Sequence, residues 1–194
     1  MDELEADAAE IDLRQRAALA RPQRLAIDED DATFLQSLHG LPSGCGKLLE
    51  ATAYLHDVGH YISGVSHHKH SYYVVSNSDL AGFTDRERYL IAALCRYHRK
   101  SLPSPMHNAY QSLSTEEKRI LTLLIPLLRL ADNLDRSHEQ RIQSVDCLLN
   151  GAGEVTLHVH SSGNIDLEQW AAERAADTFR QIYNRPVSVM KARS

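Results

Sequence analysis

KLLEATAYLHDVGHYI, residues 47–62, decides how the chain is read. Leu48, Leu49, Ala51, Ala53 and Leu55 are the apolar set of a helix that ends on the adjacent pair His56 and Asp57. An imidazole and a carboxylate side by side at a helix end lie within reach of one cation. Gly59, two residues on, lets the chain turn sharply away. A His-Asp dipeptide alone is common by chance, so the flanking sequence has to support it. SHHKH (66–70) offers His67, His68 and His70; RYHRK (96–100) offers His98; LRLADNLDRS (128–137) offers Asp132 and Asp135.

Seven of the eleven histidines fall between His56 and His107, and histidine is the commonest metal ligand. Asp132 stands near the end of an apolar helix, where a carboxylate costs several kcal/mol unless paired or bound to a cation. Mixed imidazole and carboxylate ligation suits a divalent ion: Mn, Fe, Co, Ni, Zn or Mg. Cys45, Cys95 and Cys147 are isolated, so the thiolate pairs of structural zinc are missing. Open positions on such an ion hold water, lower its pKa and polarise a phosphoryl oxygen.

Outward from this centre the periodicity is mostly helical. Residues 1 to about 26 turn from acidic to basic and read as a helical arm broken near Pro22, or as a solvated arm. IDEDDATFLQSLHGL reads as a helix capped by Asp28 or Asp30 and stopped at Gly40 and Pro42. LPSGCGK is a loop. The P-loop spacing fails there, with five residues between Gly40 and Gly46 and Leu48 where Ser or Thr is needed. A further helix begins near His68. TDRERYLIAALCRYHRK is opened by a Thr84/Glu87 capping box, and Ser114 with Glu117 opens STEEKRILTLLIPLLRLADNLDRS. The second of these is apolar enough to be buried on most sides, and Pro126 kinks it without ending it. After Asp135, EVTLHVH alternates as a strand with His158 and His160 on its polar face. LEQWAAERAADTFRQIY then returns to helix with Trp170 and Phe179 as core residues, and PVSVM is a short last strand.

An apolar fraction of 43% and a charged fraction of 24% are those of a soluble globular protein. A net charge of -5 argues against broad nucleic-acid binding. No stretch reaches the roughly 20 apolar residues of a membrane span. An acidic start with no apolar run behind it is not a signal peptide. Together with the isolated, odd-numbered cysteines, these features predict a cytoplasmic protein.

The stretches LLEATAYLHDVGHYIS, HHKHSYYVVSNSDLAGF, YLIAALCRYHRKS, LLRLADNLDRSHEQRI and LEQWAAERAADTFRQIYNRPVSV resemble the HD superfamily, whose pattern is H…HD…D. Within it they are most similar to the C-terminal region of the exopolyphosphatase/guanosine pentaphosphate phosphatase (Ppx/GppA) family, over roughly residues 36 to 191. The resemblance implies a mainly α fold, a helical HD-domain bundle followed by a small α+β tail domain. The divisions expected are an N-terminal arm (1–26), the HD domain (27–137) and the α+β domain (138–194). In the full-length family the phosphohydrolase chemistry is attributed to an N-terminal actin-like domain. This sequence is expected to stand without it, so that mechanism does not carry over.

Residue by residue, the resemblance makes His56 and Asp57 the HD pair, His68 and His98 the further histidines and Asp132 the final aspartate. Ser71 replaces a small glycine. His67, His70 and Asp135 are expected to orient the ligands. The superfamily's upstream histidine has no counterpart before residue 39, and His39 lies too close to the loop to serve. Asp28, Asp30 or Asp31 is expected to replace it, or else simply to cap its helix. Asp57 and His60 are the catalytic candidates, although His60 equally suits a cleft-lining role. Lys69, Arg99, Lys100 and Arg136 are placed to clamp phosphate, or, for Arg99 and Lys100, to complement a helix C-terminus.

The expected activity is metal-dependent hydrolysis of a nucleotide or other phosphoanhydride or phosphoester. The rival is a non-catalytic module that binds polyphosphate or nucleotide, or a regulatory subunit. The expected partners are a small phosphorylated ligand and a second copy in a homodimer, with no membrane.

Overall fold

A computed structural model describes residues 39–192. The N-terminal arm and the acidic run at 28–31 lie outside the described residues. The chain divides into two compact units, which among the described residues are 46–121 and 39–45 with 122–192.

The first unit is helical. Helix α1 (Cys45–Leu55) begins two residues before Lys47 and stops at the HD pair. A 3-10 turn (Val58–Tyr61), α2 (His67–Ser76), α3 (Asp85–Tyr97) and the single turn α4 (Asn108–Gln111) follow. The expected capping box starts α3: the Glu87 amide donates to Thr84 Oγ1 at 3.3 Å, and the Thr84 amide donates to Glu87 Oε2 at 2.8 Å. Leu90 through Cys95 are buried without a gap, which covers every face of a helix, so α3 is the enclosed element of this unit. Helix α2 packs on both α3 and the 3-10 turn.

Helix α5 (Thr115–Leu134) opens with the second capping box. The Ser114 amide donates to Glu117 Oε2 at 2.7 Å, and the Glu117 amide to Ser114 Oγ at 3.3 Å. It continues through Pro126, as expected, and its residues from 122 onward belong to the second unit.

In the second unit, strands β1 (Ile142–Leu149), β2 (Val155–Ser161) and β3 (Val187–Lys191) form a sheet in the order β1-β2-β3. β1 and β2 pair antiparallel, with Val145 opposite Val159. β2 and β3 pair parallel, with Leu157 opposite Val189. A parallel pair needs a long crossover, and α6 (Asp166–Tyr183) supplies it. Val155, Leu157 and Val159 face a core completed by Leu130 and Leu134 of α5, Ile142, Val145, Val187, Val189 and Phe179. The tail is α+β, as its alternation predicted. Strand β1 is an addition that the sequence reading did not mark.

One core assignment is corrected. Trp170 is 54% exposed and carries Arg174 over its ring at 4.9 Å. The inner face of α6 follows Glu168, Ala171, Ala172, Ala175, Ala176 and Phe179. That spacing turns Trp170 outward, while Phe179 is buried as expected. His160 pairs across the strands with Asp146 Oδ2 at 2.7 Å. Among the described residues no helix is long and apolar enough to cross a membrane.

Candidate metal centre

Four segments of the first unit converge on Asp57. Helix α1 ends at Leu55, and the next residue, His56, turns its ring back so that Nδ1 meets the Ala53 carbonyl at 2.8 Å. At the end of α3, His98 Nδ1 meets the Cys95 carbonyl at 2.7 Å. A carbonyl can only accept, so both Nδ1 atoms carry a proton, and in the neutral ring the lone pair then falls on Nε2. His67, the first residue of α2, has Nδ1 3.3 Å from the Gly64 carbonyl.

Gly59 makes this convergence possible. Its amide donates to Ser71 Oγ at 2.9 Å. A Cβ at this position would overlap the His67 carbonyl oxygen and the Ser71 amide nitrogen, and come within 2.8 Å of His70 Cβ. The start of α2 therefore rests directly on the backbone of the turn that follows His56 and Asp57. Ser66, before it, takes a left-handed conformation with φ of 59°.

Asp57 Oδ1 lies 3.1 Å from His67 Nε2, 3.5 Å from His98 Nε2 and 3.8 Å from His60 Nε2. Asp57 Oδ2 lies 3.6 Å from His56 Nε2. His67 Nε2 and His98 Nε2 are 3.2 Å apart, and Arg99 Nη1 is 3.3 Å from His67 Nε2. The approach of His67 to Asp57 is short but lacks hydrogen-bond alignment, so Oδ1 is a buried carboxylate oxygen without a hydrogen-bond partner. The angle decides here over the distance.

Lone pairs of imidazole and carboxylate aimed at one point repel unless a cation or a proton lies among them. Asp57, His60 and His67 present ligand atoms all within 4.8 Å of one another. Such a donor set fits a divalent ion: Asp57, His60 and His67 would hold it, with the Nε2 atoms of His56 and His98 also facing the Asp57 carboxylate. Burial, opposed by the Asp57 charge, holds the His67 imidazole below its usual value, and His60 and Arg99 add to the lowering. Burial also pushes His68 down to about 4, with the cations of Arg96 and Lys100 and the neighbouring His98 contributing. Both rings are neutral at neutral pH, the protonation state that ligates metals.

The candidates read from the sequence divide as follows. His56, Asp57 and His98 come together. His68 is buried and edge-on to His67 and His98, with centroids 6.0 and 6.5 Å away, and its Nδ1 has no hydrogen-bond partner. His67 makes the contact with Asp57, although the sequence offered it only as a supporting group. The two differ by one helical position, and the left-handed turn at Ser66 just before them leaves no mark in the sequence. His60 is half-exposed and stacks on His67 at 3.8 Å between centroids. Lys69 and Lys100 are exposed, and Arg99 is half-buried. Asp132 and Arg136 belong to the second unit: Asp132 is half-buried near the end of α5, and Arg136 is exposed just beyond it. Asp135 Oδ1 accepts from the Gln140 amide at 2.9 Å, and His39 Nδ1 from the Leu41 amide at 2.9 Å. The proposed substitute carboxylates at 28–31 lie outside the described residues.

A family model described as Ppx/GppA phosphatase, domain III, matches residues 13–174. Three curated relatives are guanosine-5'-triphosphate,3'-diphosphate pyrophosphatases. That of Pseudoalteromonas translucida (strain TAC 125) is 29% identical over 126 residues, 64% of this chain and 24% of the relative. That of Vibrio parahaemolyticus serotype O3:K6 is 31% identical over 135 residues, 69% of this chain and 26% of the relative. That of Vibrio vulnificus (strain YJ016) is 30% identical over 141 residues, 72% of this chain and 27% of the relative. The chain thus spans about a quarter of the length of these relatives. Helical first unit, α+β second unit and matched residues agree: the chain belongs to the Ppx/GppA phosphatase family, to which it corresponds through domain III.

Proposed function

We propose that the first unit carries an HD-type divalent-metal centre serving a phosphohydrolase that acts on a nucleotide or another phosphoanhydride or phosphoester. The observation that carries this reading is Asp57 Oδ1, buried without a hydrogen-bond partner and faced by the Nε2 atoms of His67 and His98. A polar atom left in that condition costs stability, which a site built for a cation explains.

Asp57 anchors the centre, with His56, His67 and His98 as neutral ligands and His68 as the alternative that the HD motif offers. Asp132 is offered as a further carboxylate ligand by the LRLADNLDRS motif. A bound divalent ion supplies Lewis acidity toward a phosphoryl oxygen. His60, half-exposed beside Asp57, is positioned to take or give a proton at Nε2. Arg99 binds phosphate oxygens, joined by Lys69 and Lys100, and Arg136 is a further candidate on its motif. The relatives' names make a guanosine polyphosphate the first substrate to try. The isolated placing of Cys45, Cys95 and Cys147 in the sequence fits a cytoplasmic setting.

Because the chain spans only about a quarter of those relatives, a non-catalytic phosphate-binding module is the second reading. Phosphate release from a panel of nucleotides and polyphosphate, with manganese added, separates the two. Turnover abolished by Asp57→Asn supports the hydrolase. Tight binding of the same ligands with no release in either protein supports the binding module.

A further inference from the structure

His67 Nε2 has more partners than it has lone pairs. It lies 3.1 Å from Asp57 Oδ1 and 3.2 Å from His98 Nε2, in the middle of the proposed ligand set. The guanidinium of Arg99 also reaches it, with Nη1 at 3.3 Å. A ring nitrogen offers a single lone pair, so a cation on His67 Nε2 and the Arg99 hydrogen bond exclude each other. Arg99 directly follows His98, which is buried and tied to the Cys95 carbonyl, so the backbone at this point is anchored. The Arg99 side chain is only half-buried and has the length to move.

We propose that Arg99 couples metal binding to phosphate binding: its guanidinium occupies the His67 lone pair in the metal-free protein, and the arriving ion releases it to the phosphate of the ligand. This rests on the metal-centre reading above. Arginine suits both positions. It keeps its charge throughout, so it offsets part of the Asp57 charge before the ion arrives. Its planar fork then matches two phosphate oxygens at once. The ligand class that follows is a terminal phosphate with at least two free oxygens, bound after the metal, and the two binding events reinforce each other.

The experiment titrates cobalt(II) alone into the full chain by calorimetry and visible absorption, then inorganic phosphate into the cobalt-loaded protein. Arg99→Ala should bind cobalt about fivefold more tightly, the order expected when one competing hydrogen bond is removed. The loaded variant should bind phosphate about tenfold or more weakly, because a charge-assisted contact is lost. The gain in cobalt affinity should persist in about 1 M inert salt, where the screening length is about 3 Å. Unchanged or weakened cobalt affinity in Arg99→Ala would overturn the proposal, as would a gain that salt abolishes, since that gain would be simple charge repulsion. Absence of cobalt binding in the wild-type protein would instead remove the metal-centre reading itself.

Discussion

Gly59 shows how a single residue positions the start of α2 beside Asp57. Its missing side chain lets the His67 carbonyl and the Ser71 amide close over the turn, and its amide is held by Ser71 Oγ. The neighbours that a Cβ would strike are backbone atoms, which cannot rotate away. Gly59→Ala should therefore destabilise the protein by about 1–3 kcal/mol or more, measured by urea unfolding. It should also displace His67 and weaken metal binding. Unchanged stability would mean that α2 does not pack on the turn as described. The glycine was legible in the sequence as a sharp turn after the HD pair, but the need for a bare Cα against α2 was not. Adjacent helical residues point about 100° apart, so which of His67 and His68 faces Asp57 depended on the actual start of α2.

At the scale of elements, the helix starts were the most readable feature, because a capping box is a local device whose residues lie three apart. Thr84 with Glu87 and Ser114 with Glu117 both form as expected. Glu117 also pairs with Arg86 at 2.5 Å. Burial alone would raise the Glu117 carboxyl, but the Ser114 amide and hydroxyl and the Arg86 guanidinium outweigh it and hold it below the usual value. A depressed carboxylate gives stability that is present above its unfolded value, about 4.3, and lost as pH falls through the lower folded value. Glu117→Gln should accordingly lower the urea midpoint at pH 6, with wild type and variant converging as pH drops toward 3. A constant gap across that range would rule out the ionised cap. Farther along α5, Leu130 is 4% exposed in the core of the second unit. Leu130→Ala should cost about 2–5 kcal/mol, and a loss below about 0.5 kcal/mol in denaturant midpoints would show that the site is not packed.

Over the whole molecule, what escaped the sequence was whatever depended on partners distant in the chain. Strand β1 is an edge strand in which only Ile142 and Val145 are deeply buried, while Leu148 and Leu149 are exposed. IQSVDCLL therefore lacks the clean alternation that made β2 readable. Trp170 looked like core because it is large and apolar, but the face of α6 that packs is written in alanines. The gathering of side chains around Asp57 was partly legible, since His56 and His98 stand at helix ends that the sequence marks. Metal content of the purified full chain tests the proposed metal centre most directly, measured by elemental analysis after manganese reconstitution and removal of free ion. The wild-type protein should retain about one equivalent or more and Asp57→Asn under about 0.1, because the imidazoles lose their anchoring charge. A wild-type protein that also retains under about 0.1 equivalents, or a variant that holds as much as wild type, would contradict it.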